Sequence, residues 1–207
     1  MIVIGIVGGI ASGKSVVTDR LKELGAVVLD ADQIGHAVLR ELTVKSAILQ
    51  RWGNQVFTPD GEVDRGKVAA IVFDPQQPEQ LKHLEEITHP LIAQRLQQAI
   101  DQMRQSGEHT MLVLDAPIMV KTGWHRLCDQ LVFVDCEPEI RRERARARGW
   151  TSEMFESREA RQAKVDEKRR LSTVMINNNG SLADTHRQVD QFWERCVTPQ
   201  ADQLPRQ

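Results

Sequence analysis

The stretch "GIVGGIASGKSVV", residues 5–17, decides the fold. Upstream it completes a continuous apolar, β-branched run, "IVIGIV" (2–7), the pattern of a strand buried on both faces of a parallel sheet. Downstream it opens an amphipathic segment, "SVVTDRLKEL", that stops at Gly25. Between them Gly8-Gly9-Ile10-Ala11-Ser12-Gly13-Lys14-Ser15 satisfies G-x-x-x-x-G-K-[ST], in the strand–loop–helix setting the pattern requires. Glycines let the backbone curl so that successive N–H groups point inward, and the following helix adds the positive end of its dipole. Such a loop is shaped for phosphate oxygens, whose approach bulky side chains would block. Lys14 is then placed to neutralise β- and γ-phosphates, and the Ser15 hydroxyl to help hold Mg2+. The candidate nucleoside-triphosphate-binding residues are Gly8, Gly9, Ala11, Ser12, Gly13, Lys14, Ser15 and Val16. A turn that merely reverses the chain explains neither the lysine nor the hydroxyl after Gly13.

Outward from this loop, strand and helix signals alternate. Apolar runs recur at "AVVLD" (26–30), "TMLVLD" (110–115), "QLVFVD" (130–135) and "TVMI" (173–176). A long helical region covers about 77–106 and ends at Gly107, and His89-Pro90 is expected to split it, because proline suits the first turn of a new helix. Strands alternating with helices imply an α/β fold: a parallel sheet covered on both faces, with ligands at the carboxyl ends of its strands.

Composition bounds the rest. A chain of 207 residues, 41% hydrophobic, can bury a full core, so a single domain over 1–207 is expected. A net charge of -2 gives no global attraction to nucleic acid or anionic membranes. Cys128, Cys136 and Cys196 form no CxxC pair, which argues against a disulfide framework or zinc knuckle and for a reducing, cytoplasmic location. No segment has the length and apolarity of a membrane span, and the tail after Trp193 reads as frayed. His36, His83, His109, His125 and His186 lack ligand spacing.

Carboxylates fall where the chemistry needs them. The second strand ends in "VVLDADQIG", putting Asp30 and Asp32 at the edge of the sheet. Asp32 is placed to accept the proton of an acceptor hydroxyl, and Asp30 either orients the acceptor or caps the next helix; both as mere N-caps is the plainer alternative. Asp115, ending the third strand, is the expected partner of Mg2+ beside Ser15, or else a turn-initiating aspartate before Ala116-Pro117. Nine arginines lie between Arg141 and Arg170. They read as a helical lid that sets Arg144 or Arg148 against transition-state charge, as a solvated face laced with glutamates, or as a nucleic-acid contact that the scarcity of nearby aromatics disfavours.

Taken together, "GGIASGKS", "LDADQIGHAVL", Asp60-Gly61 with Val63-Asp64-Arg65, "THPLI" (88–92), "LDAP" and "INNNGS" (176–181) resemble the dephospho-coenzyme A kinases, over almost the whole chain. The resemblance implies a P-loop NTPase three-layer fold with five parallel strands in the order 2-3-1-4-5. It implies transfer of the ATP γ-phosphate to the 3′-hydroxyl of dephospho-CoA, with Asp32 as base and Lys14, Arg144 and Arg148 as further catalytic residues. It also implies a helical acceptor region at 35–106, a lid at 138–170, and acceptor contacts through Asp30, Asp32, His89, Pro90 and Gln162. A monomer without nucleic-acid or membrane partners is the default. The chain departs from the family where Lys121 replaces a usual glutamate, where Thr173 and Asn177 replace carboxylates, and where Val7 and Ala11 replace threonine and glycine. Another small-molecule kinase is the nearest rival. A nucleotide switch built on Asp32-Gln33-Ile34-Gly35 and a nucleic-acid-binding ATPase are more distant ones.

Overall fold

A computed structural model describes residues 1–197. In chain order the elements are β1 (Ile2–Gly8), α1 (Lys14–Glu23), β2 (Val27–Asp30), α2 (Ala31–Val38), α3 (Leu42–Trp52), α4 (Arg65–Val72), α5 (Pro78–Ser106), β3 (Met111–Asp115), α6 (Met119–Thr122), β4 (Gln130–Asp135), α7 (Pro138–Ala147), α8 (Ser152–Ala160), α9 (Val165–Leu171), β5 (Val174–Asn177) and α10 (Leu182–Val197). The five strands form one sheet in the order β2-β3-β1-β4-β5, as the family resemblance implies. β1 lies parallel to both β3 and β4, with Ile4 opposite Val113 on one side and Gln130 on the other. β4 lies parallel to β5.

The unbroken apolar strands are explained by what covers each face. Ile4 and Ile6 of β1 join Val113, Val132, Val134 and Ile176 against Val17 and Leu21 of α1 and Val189 and Phe192 of α10. Val3 and Leu112 face the other way, onto Ile100 and Met103 of α5. Because successive strand side chains alternate in direction, a central strand covered on both faces has no polar side to show. The layers leave the carboxyl ends of β1 and β3 open for loops.

Backbone contacts divide the chain into two compact units, Met1–Leu29 with the chain from Ile100 onward, and Asp30–Ala99. The first holds the sheet, α1 and α6–α10. The second is helical. Within it Trp52 of α3 donates its indole N–H to Gln80 (3.0 Å) and meets His83 edge-on, while Lys45 pairs with Glu62 (2.5 Å).

Two expectations are corrected. α5 runs unbroken from Pro78 to Ser106, with Pro90 inside it. Proline removes one backbone donor, but Thr88, Ile92, Leu96 and Ile100 are buried, and the packing of that face keeps the helix whole across the lost bond. The chain past Trp193 is helical through Val197, because Trp193 and Cys196 pack on the core beside Phe192. The rest of the expected frayed tail, 198–207, lies outside the described residues.

Candidate active site

β1 ends at Gly8 and α1 starts at Lys14, so residues 9–13 make the turn at the open edge of the sheet. Gly13 is the N-cap of α1, with φ +92°, and no side chain caps the helix or places a carboxylate in its first turn. The orphan N–H groups and the positive dipole end are therefore kept for a ligand. A cleft of about 210 Å³ stands there, lined by Ala11, Ser12, Gly13, Lys14, Ser15, Asp115, Pro117 and Arg148. The motif residues and the carboxylate of the third strand are thus brought to one place.

Lys14 donates from Nζ to the Gly9 carbonyl (3.0 Å). Burial pushes its pKa down to about 8, Asp115 opposes the shift, and Arg141 and Arg148 add to it. The ammonium is short of negative charge, the condition that a phosphate tail relieves. Ser15 and Asp115 offer a hydroxyl and a carboxylate in the same cleft, the hard oxygen donors that Mg2+ prefers, so the residues present fit that ion.

Behind the loop lies a layer of side chains that the sequence reading did not single out. Lys168 of α9, 3% exposed, donates from Nζ to the Gly8 carbonyl (3.1 Å) and to Gln162 (2.5 Å). Arg141 of α7, 6% exposed, donates to the Ile10 carbonyl (3.4 Å), pairs with Glu159 and lies over the ring of Phe155. Asn178 donates from Nδ2 to the Ser12 carbonyl (2.7 Å), and its Oδ1 accepts from the buried Thr185 hydroxyl (2.8 Å). Burial also holds Lys168 near a pKa of about 8, Lys14 and Arg141 depressing it further while Glu159 opposes them.

This layer revises the reason for the glycines. A Cβ on Gly9 would come within 2.4 Å of the Arg141 guanidinium, and one on Gly13 within 2.0 Å of Asn178 Nδ2. The glycines are needed so that charged and amide side chains can close on the loop from behind, besides the open approach of phosphate in front. Ala11, where the family often has glycine, holds φ at +58°, a left-handed conformation that costs a non-glycine residue about 1–2 kcal/mol.

The remaining predicted residues are placed as follows. Arg148 lines the cleft. Arg144 instead donates to the Ser12 carbonyl (3.3 Å) and the Asn178 carbonyl (2.9 Å), which makes it a strut of the loop in this structure rather than a free cation aimed at transferring phosphate. Gln162 accepts from Lys168. Arg158 stacks on Trp150, 4.4 Å from the ring centroid, and Gly149, φ +76°, lies at the break between α7 and α8. Arg169 pairs with Asp135 (2.6 Å), so much of the arginine run is tied down within its own unit.

In the second unit Asp30 is the N-cap of α2, accepting from the backbone of Asp32 (2.8 Å) and Gln33 (3.2 Å). Of the two roles open to it, this geometry realises the cap. Asp32 sits in the first turn of α2, and desolvation together with the nearby Asp30 raises its pKa against the opposing pull of His36. Asp32-Gln33-Ile34-Gly35 lies wholly inside that helix, which removes the mobile loop that a nucleotide switch would need. His89 and Pro90 lie within α5. Among the described residues no three histidine, cysteine, aspartate or glutamate side chains group as a metal cluster.

A phosphate loop opening the helix after a central parallel strand, with a lysine, a hydroxyl and a carboxylate in one cleft, defines the P-loop nucleoside-triphosphate-binding proteins. The dephospho-CoA kinase family model matches residues 2–184. A dephospho-CoA kinase of Dehalococcoides mccartyi is 37% identical over 185 residues, 89% of this chain and 92% of that protein. The chain therefore belongs to the dephospho-CoA kinase family. Its backbone matches the crystal structure of TT1252 from Thermus thermophilus with a TM-score of 0.74 at 31% identity, over 94% of this chain and 97% of that one. The dephospho-CoA kinase from Campylobacter jejuni shares the fold, with a TM-score of 0.66 at 20% identity over 94% and 96% of the two chains.

Proposed function

We propose that this protein transfers the γ-phosphoryl group of ATP to the 3′-hydroxyl of dephospho-CoA, releasing coenzyme A and ADP. The observation that carries the reading is the cleft in which Gly13, Lys14, Ser15, Asp115 and Arg148 converge, in a chain of this family. The loop N–H groups and Lys14 hold the phosphate tail. Ser15 and Asp115 would hold Mg2+, which when bound would neutralise phosphate charge. Arg148 meets the charge that develops on the transferring group. Asp32 accepts the proton of the attacking hydroxyl, and its raised pKa makes it a better base than an ordinary aspartate. The helical segment 35–106 with His89 and Pro90 binds the acceptor, and 138–170 with Gln162 acts as the lid. Arg144 is assigned to the loop rather than to the reacting atoms, on the strength of its two carbonyl contacts. The three cysteines are free thiols, in keeping with a cytoplasmic site of action.

The test is a steady-state ADP-release assay with dephospho-CoA, adenosine, pantothenate and shikimate as acceptors. Turnover is expected with dephospho-CoA, with one phosphoryl group gained at the 3′ position by mass spectrometry. Comparable kcat/KM with shikimate or pantothenate would move the protein to another acceptor class.

A further inference from the structure

We infer that Lys168 is a positioning residue of the phosphate loop, its Nζ fixing the Gly8–Gly9 peptide so that the Gly9 carbonyl is presented to Lys14. The inference rests on the reading of this loop as the ATP phosphate site.

Gly8 and Gly9 are consecutive, and two glycines in a row leave the backbone with the widest choice of conformations, so local sterics alone do not select one. Tertiary contacts have to: strand pairing opposite Val134 holds Gly8 in the sheet, and Lys168 Nζ donates to the Gly8 carbonyl, where the peptide leaves the strand, at 3.1 Å across a sequence separation of 160. Because a trans peptide is planar, holding that oxygen behind the loop also sets the direction of the Gly9 N–H. The next carbonyl along, that of Gly9, accepts from Lys14 Nζ at 3.0 Å and from the Ser12 N–H at 3.2 Å. A rotation of the peptide between residues 8 and 9 is therefore passed directly to the seat of the phosphate-binding lysine.

Packing does not account for a lysine at this position. The side chain is 3% exposed, and its charge sits near that of Lys14, with Glu159 as the carboxylate that favours it. A methionine would fill the space without the cost of a desolvated ammonium, but it would leave the Gly8 and Gln162 oxygens without this donor, at about 1–3 kcal/mol for each buried acceptor. What methionine lacks is the donor to Gly8. The lysine is best explained by the loop it holds, and Gln162, which accepts its second bond at 2.5 Å, orients the ammonium toward that carbonyl.

The test compares Lys168→Met and Lys168→Arg with the wild type by calorimetry with ATP and by steady-state kinetics. Lys168→Met is expected to stay folded with a melting temperature several degrees lower, bind ATP about 10- to 100-fold more weakly, and show the rise in KM for ATP while KM for dephospho-CoA changes less than about twofold. Lys168→Arg, which restores a donor, is expected to recover most of the ATP affinity. A merely structural role predicts the same lower melting temperature and a lower active fraction, with ATP affinity and both KM values kept. ATP affinity of folded Lys168→Met within about threefold of the wild type overturns the inference. Should that variant not fold, Lys168→Gln replaces it, since its shorter stem keeps a polar head in the site and leaves the Gly8 carbonyl without its donor; the same thresholds apply. If the wild type binds ATP and does not phosphorylate dephospho-CoA, the acceptor assignment falls and the calorimetric comparison still decides the role of Lys168.

Discussion

Replacing Gly13 by alanine tests the claim that the loop is closed from behind. The residue holds φ +92°, and an added Cβ would lie 2.0 Å from Nδ2 of Asn178 and 3.3 Å from its Cγ. Asn178 has nowhere to retreat: it is 5% exposed, its amide is bonded to the Ser12 carbonyl at 2.7 Å, and its carbonyl oxygen accepts from Thr185 at 2.8 Å. Two costs add. A left-handed conformation with a Cβ costs about 1–2 kcal/mol, and breaking the buried amide contact costs about 1–3 kcal/mol, so Gly13→Ala should destabilise by about 2–5 kcal/mol. Gly149→Ala is the control, because that residue has φ +76° but no atom within 4 Å of an added Cβ. It should lose only the conformational share, about 1–2 kcal/mol. Urea denaturation of the two variants without ligand, read as midpoints at a common slope, isolates the Asn178 contribution. Equal losses, within about 0.5 kcal/mol, would mean that Asn178 yields at no cost and that the rear layer does not constrain the loop.

Other expectations follow from the same geometry. With a pKa of about 8, Lys14 is half-protonated at pH 8 in the free protein, and phosphate favours its charged form, so ATP binding at pH 8 should take up about half a proton, measured by calorimetry in buffers of different ionisation enthalpy. Proton release there would contradict the burial of Lys14. Asp32→Asn should lower kcat by about 10²–10⁴-fold with ATP affinity kept, and unchanged kcat would leave Asp32 a helix residue only. In the wild type the acid limb of the kcat profile should lie above the ordinary aspartate range, since the raised pKa keeps Asp32 protonated, and so unable to accept, to a higher pH. Ala11→Gly should be nearly neutral in denaturant titrations: about 1–2 kcal/mol of strain is relieved, against about 0.8 kcal/mol for the buried methyl and about 0.4–1 kcal/mol for the freer unfolded chain. A change beyond about 2 kcal/mol in either direction would show that the φ of +58° misstates the strain.

The front of the site was legible in the sequence and the back was not, for a physical reason. Strand periodicity, the glycine pattern and Lys14-Ser15 are local signals, each decided within a few neighbouring residues, and Asp115 follows from being the last residue of an apolar run. The partners of the loop carbonyls come from α7, α9 and the start of the β5–α10 connection, at separations no local pattern encodes. Lys168 stood in plain view within the charged region 141–170, for which a solvated face laced with glutamates is one of the readings. Arg144 was noticed for its charge, which did not reveal that backbone carbonyls would claim it. Pro90 misled because proline's local rule was outweighed by the buried apolar face of α5.

The order in which the chain is made gives the rear layer a further meaning. The motif at residues 8–15 leaves the ribosome early, whereas its braces at positions 168 and 178 come 160 and 166 residues after the carbonyls they hold. The braced form of the loop is therefore completed only after those distant residues have been made and have folded against it.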